Sequence, residues 1–185
     1  MKEANLNNSY KCVSYFCSGA LMLLCTFLCI GFCGCAKMSG YSNESLFPEE
    51  IGSVYVEMFD NRSFRRGVEY ELTDALAKRI ETETPYKIIS SRDRADTVIS
   101  GQIVSARELW LSRERQTGRA LEKEVELQAI VNWKNLKTGE LLIDNQSVSA
   151  SASYSEWQEQ GFLYGSTLAA NNLAQRIVEL MEKEW

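Results

Sequence analysis

The sequence predicts an α+β fold: a two-layer sandwich in which a mostly antiparallel or mixed sheet of four to five strands carries two helices on one face. Three observations predict it. Leu121, Lys123, Val125, Leu127, Ala129, Val131 and Trp133 alternate with Glu122, Glu124, Glu126, Gln128, Ile130 and Asn132. That is the period of an antiparallel strand with one buried and one wet face. Val68, Leu72, Ala75, Leu76 and Ile80 fall at helical spacing, as do Phe162, Ala169, Leu173, Ile177, Leu180 and Met181, which marks two amphipathic helices. The element order β-α-β-β-β-β-α contains no internal repeat, so a sheet with both helices on one side closes a single core.

Taken in order, residues 1–34 read as a removable leader, 35–50 as a polar tether carrying Pro48, and 51–185 as one domain. The first strand runs from Ile51 to Phe59, with Val54, Val56 and Met58 on one face and Tyr55, Glu57 and Phe59 on the other. Asp60-Asn61-Arg62-Ser63 is a turn by composition. The first helix spans Arg66 to Glu83 and stops before Pro85, since the residue preceding proline avoids the helical region. Tyr86–Ser90 is a short strand, and Asp96 to Leu111 a long one with imperfect alternation. After the Leu121–Trp133 strand, Asn135–Glu140 forms a hairpin turn and Leu141–Tyr154 returns as a small, serine-rich strand. Either close packing against another surface or a weakly packed sheet edge accounts for its lack of bulk. The last helix covers Phe162–Lys183.

Composition excludes several functions. The chain has 185 residues, a formal net charge of −5 and no histidine. An acidic balance argues against nucleic acid as a partner, which selects a basic stripe. Without histidine the commonest general base and metal ligand are both missing. Neither a cofactor, a metal nor an enzymatic activity is expected. The six cysteines (Cys12, Cys17, Cys25, Cys29, Cys33 and Cys35) all lie in the first 35 residues. They share that segment with a 13-residue apolar run, Ala20–Phe32, which has the length of a signal-peptide core. A small residue, Gly34, stands immediately before Cys35, and this resembles a bacterial lipobox with Cys35 as the lipidated residue. Bulky Phe32 makes Cys33 the poorer choice; an uncleaved anchor helix is the alternative, because Val13–Cys35 nearly reaches a membrane span. Lipidation at Cys35, followed by Ala36 rather than Asp, resembles an outer-membrane address with the domain on the periplasmic side.

Four stretches then share a pattern: CAKMSGYS at Cys35–Ser42, FDNRSF at Phe59–Phe64, EYELTDAL at Glu69–Leu76, and ADTVISG at Ala95–Gly101. In order and spacing they resemble the LptE family, the lipoproteins of lipopolysaccharide assembly. The second matches F-x-N-x-[ST]-[FY], although Glu57-Met58 stand where the family often has a proline. The resemblance implies a non-enzymatic outer-membrane lipoprotein that sits in an LptD-like β-barrel and helps deliver lipopolysaccharide. The other reading of the same fold is a periplasm-facing lipoprotein adaptor of another envelope or secretion complex.

The residues that carry chemistry are few. Arg113, Arg115 and Arg119 crowd the loop Ser112–Ala120 against a single Glu114, with Lys123 close by. Guanidinium forks grip phosphate and carboxylate oxygens bidentately, so these four are the candidate lipopolysaccharide contacts; a solvated loop tip is the plainer explanation. Trp110, Trp133 and Trp157 lie near strand ends and are expected as core or sheet-edge packing rather than acyl-chain contacts. Phe59, Asn61 and Ser63 are assigned to a structural turn, because Asn side chains bond nearby backbone groups.

Overall fold

The computed structural model describes residues 45–116, 118 and 120–183. Ser45–Trp185 form one compact unit. Its elements are β1 (Ser53–Val56), β2 (Asp60–Asn61), α1 (Val68–Glu83), β3 (Lys87–Ile88), β4 (Thr97–Arg113), β5 (Ala120–Asn135), β6 (Leu141–Ser155) and α2 (Phe162–Glu179). The sheet order is β3-β1-β4-β5-β6, with β2 also beside β4. Strands β1, β2 and β3 join in parallel, while β4, β5 and β6 are antiparallel. The mixed α+β sandwich expected from the periodicities is therefore present, with one strand more than expected.

That strand exposes a parity error. Val56 pairs with Ile99 and Asp60 with Gln102, so four steps along one chain match three along β4. The extra residue reverses inside and outside. Phe59 consequently points inward and is only 1% exposed, whereas Met58 faces solvent. Two more bulges explain the imperfect alternation of β4. Val104 and Leu111 have no partner on β5, since pairing jumps from Ile103 to Ser105 and from Trp110 to Ser112.

The helices pack on one face and run side by side. Thr167 Oγ1 meets Glu71 Oε2 at 3.2 Å and Arg79 Nε donates to the Asn171 carbonyl at 3.1 Å, which fixes α1 and α2 parallel. Gly67, at φ 96°, turns the chain into α1, so that helix starts at Val68, the first residue of its apolar stripe, and not at Arg66. Helix α2 ends at Glu179; Met181 is buried as expected, but Leu180 is exposed. The buried face of α2 begins with small residues, Gly165, Ser166, Ala169, Ala170 and Ala174, and adds Leu173, Ile177 and Val178 farther along. A Cβ on Gly165 would lie 2.5 Å from Tyr154 Cδ1 and 2.9 Å from Val125 Cγ2. On β6 the buried inner-face residues are Ile143, Val148, Ala150 and Tyr154.

Both helix N-termini lie at one end of the domain, termed the tip, where the β4–β5 hairpin continues past them. At the other end, the base, Lys183 N donates to the Leu46 carbonyl at 2.8 Å and Phe47 packs edge-on against Tyr86. At 17 residues, β4 spans about 55 Å between the two. Among the described residues no helix is long and apolar enough to cross a membrane.

Candidate functional site

The turn after β2 is held by one side chain. Asn61 Oδ1 accepts from Ser63 N at 2.8 Å and Ser63 Oγ at 2.7 Å, while Asn61 Nδ2 donates to the Arg65 carbonyl at 2.7 Å and Glu69 Oε2 at 2.6 Å. Glu69 Oε2 also accepts from Gly67 N at 3.0 Å. Burial acts to raise the Glu69 pKa, but these hydrogen bonds outweigh it and leave the carboxyl below its usual range. Asn61 thus joins β2 to the first turn of α1. Phe59, two residues earlier, rests on Gly101: a Cβ there would lie 2.4 Å from the Ile130 carbonyl and 2.6 Å from the Phe59 ring. Three of the four sequence patterns meet here, because Phe59-x-Asn61 joins Glu69 of α1 and Gly101 of β4. Asp96, from the last of them, accepts from Gly52 N at 3.0 Å and pairs with Lys137 at 2.6 Å. The Lys137 ammonium pulls its pKa down to about 2.

The second assembly is the hairpin between β4 and β5. Arg113 lies with its guanidinium carbon 4.0 Å from the centre of the Trp110 ring, a cation–π stack. Arg115 is exposed in the turn. Arg119 lies outside the described residues, as does Cys35. Trp110 is 61% exposed, and Leu109 and Leu111 are exposed beside it. The core or sheet-edge packing expected for the tryptophans holds for Trp133, which is 2% exposed, but not for Trp110 or Trp157. Sequence position near a strand end does not reveal that the helical layer stops short of the hairpin. The tip is therefore amphiphilic, with arginines set among large apolar side chains.

Lys123 is placed differently from the arginines. It sits on the helix-facing side of β5, opposite Trp110 on one neighbour and Tyr154 on the other. Its side chain is 16% exposed and bonds Glu156 and, at 3.5 Å, Glu108. Glu108 also accepts from the Tyr154 hydroxyl and, at 3.3 Å, from Arg65. Burial would raise the Glu108 pKa, yet Tyr154 and Lys123 outweigh it and hold the carboxyl down. The same burial and the same carboxylate push the Tyr154 hydroxyl up, and Glu156 raises Lys123. The network closes the tip end of the core, and nothing in the alternation of β4 signals it, because the bulge at Val104 hides that Glu108 faces inward. Among the described residues no group of three or more Asp or Glu is placed to hold a metal ion.

The model of the LptE family, described as lipopolysaccharide-assembly, matches residues 51–183. No curated protein matches the chain. Among solved structures, the hypothetical protein CT253 from Chlamydia trachomatis is 13% identical over 70% of this chain and 94% of its own, with a TM-score of 0.50. The rare lipoprotein B from Shewanella oneidensis is 18% identical over 70% and 93%, with a TM-score of 0.44. The uncharacterized lipoprotein B from Nitrosomonas europaea is 17% identical over 78% and 89%, at 0.48. The likeness to the first is one of fold alone.

Proposed function

The chain belongs to the LptE family of lipopolysaccharide assembly, and from that premise we propose that it is a non-enzymatic outer-membrane lipoprotein. Lipidated at Cys35, it partners an LptD-like β-barrel from the periplasmic side and contacts lipopolysaccharide through the β4–β5 hairpin. The observation that carries this reading is the amphiphilic tip, where Arg113 stacks on exposed Trp110 beside Arg115, Leu109 and Leu111. Lipopolysaccharide joins phosphorylated sugars to acyl chains, and guanidinium groups set among apolar side chains suit both parts. Lys123 is excluded from direct contact in this reading, because Glu108 and Glu156 already occupy its ammonium. The polarity of the domain supports the same arrangement. The chain reaches the unit at the base, where Leu46 meets Lys183, so the arginine tip projects away from the tethered end.

Ala substitution of Arg113, Arg115 and Arg119 together tests the contact. The expected result is lipopolysaccharide binding weakened about tenfold at low salt, with the difference shrinking as ionic strength rises. Unchanged binding at low salt would remove the hairpin from the site.

A further inference from the structure

We propose that the tip end of the domain seats on the surface of an anionic lipid assembly through Phe64, Trp157, Leu163 and Tyr164, with Arg62 and Arg66 pairing its head groups. Phe64 is fully exposed, Trp157 73% and Leu163 75% exposed, and Tyr164 is about half exposed. Contacts beneath them bring these residues to one end. Arg65, next to Phe64, stacks 4.3 Å from the Phe162 ring, next to Leu163, and bonds Glu108; Glu156, next to Trp157, pairs with Lys123 of the same network. Grouped apolar side chains of this size mark a contact surface rather than scattered exposure.

Charge selects the occupant. Among the described residues Arg62 and Arg66 lie within ion-pair distance of no carboxylate, although Arg66 acts on Glu69 through space, whereas Arg65 is taken up by Glu108. Aromatic rings interleaved with exposed arginines fit the boundary between acyl chains and anionic head groups. The polar interior of a barrel is a poorer match for these rings. It suits instead the outer face of the sheet, where Glu122, Glu124 and Glu126 lie opposite Ser155, Ser153 and Ser151. The surface goes beyond the hairpin contact, since it uses other residues and requires no barrel.

Residues 45–185, whose described core lies between Phe47 and Met181, supply the test without the proposed lipid anchor. Sedimentation with vesicles of phosphatidylethanolamine and phosphatidylglycerol should show binding at low salt at least about tenfold stronger than with phosphatidylcholine alone. W157S/L163S and, separately, R62E/R66E should each lower that binding about tenfold with unchanged melting temperature, since all four side chains are exposed. R113A/R115A should leave it within about twofold, which separates this surface from the lipopolysaccharide contact. No vesicle binding, or binding untouched by W157S/L163S, would overturn the proposal. So would loss of a co-purifying envelope protein in W157S/L163S without loss of vesicle binding, which would give the patch to a protein partner.

Discussion

A single amide organises the start of α1. Asn61 uses both its oxygen and its nitrogen, so removing it leaves Ser63 N, Ser63 Oγ and Glu69 each short of a partner. Asn61→Ala should cost about 1–3 kcal/mol in urea unfolding. Asn61→Asp should cost more at pH 7 than near pH 4, because it sets a second carboxylate against Glu69. Gly101 tests the other half of the junction. Gly101→Ala forces a methyl into the Phe59 ring and the Ile130 carbonyl and should cost about 1–3 kcal/mol, whereas Gly161→Ala, with open space around it, should change little. Asp96 carries the pH dependence. Its depressed pKa means the contribution is present above the ordinary aspartate value of about 4 and is lost as pH falls toward about 2. Lys137 is largely exposed, so screening limits this to about 1 kcal/mol. Asp96→Asn should flatten the acid limb of the stability curve across that window.

Elements differ in how far their sequences reveal them. Strand β5 is legible because every residue from Glu122 to Val131 has a partner on both sides, so inside and outside alternate from Val125 to Trp133. Strand β4 is not, because its bulges at Val104 and Leu111 arise from pairing with β5 rather than from any local residue preference. The same limit reversed Phe59 and Met58, and it concealed that Glu108 faces the core. Helix α2 is legible as a stripe through Ala169, Leu173 and Ile177, but the stripe omits Gly165 and Ser166, whose small size lets its first turn approach the sheet. Gly165→Leu should therefore destabilise by several kcal/mol, roughly as overpacked cores do, and shift the near-ultraviolet signal of Tyr154. The edge of β6 is also managed by α2. Asn172 Nδ2 donates to the Ser151 carbonyl and Arg176 to the Ser149 carbonyl, closing part of an otherwise open edge. Asn172→Ala with Arg176→Ala should speed amide exchange along β6 and increase self-association at high concentration.

At the scale of the whole molecule, the sequence patterns lie apart in the chain and meet in space, at Phe59, Asn61, Glu69 and Gly101, which is what an ordered fold signature requires. The candidate binding residues were legible as a charge cluster, and the geometry divides that cluster. Arg113 and Arg115 project from the hairpin, while Lys123 is bound into the network beneath it. What no sequence pattern announces is the shared direction of the two helices, which gathers Trp110, Trp157 and Phe64 at the end opposite the base. In the proposed reading this domain serves a barrel partner in the outer membrane. Purification of the full-length chain from its native envelope in mild detergent, with the recovered proteins identified by mass spectrometry, should yield one large β-barrel protein in near-equal amount. Recovery of the chain alone, or with inner-membrane machinery, would overturn that reading.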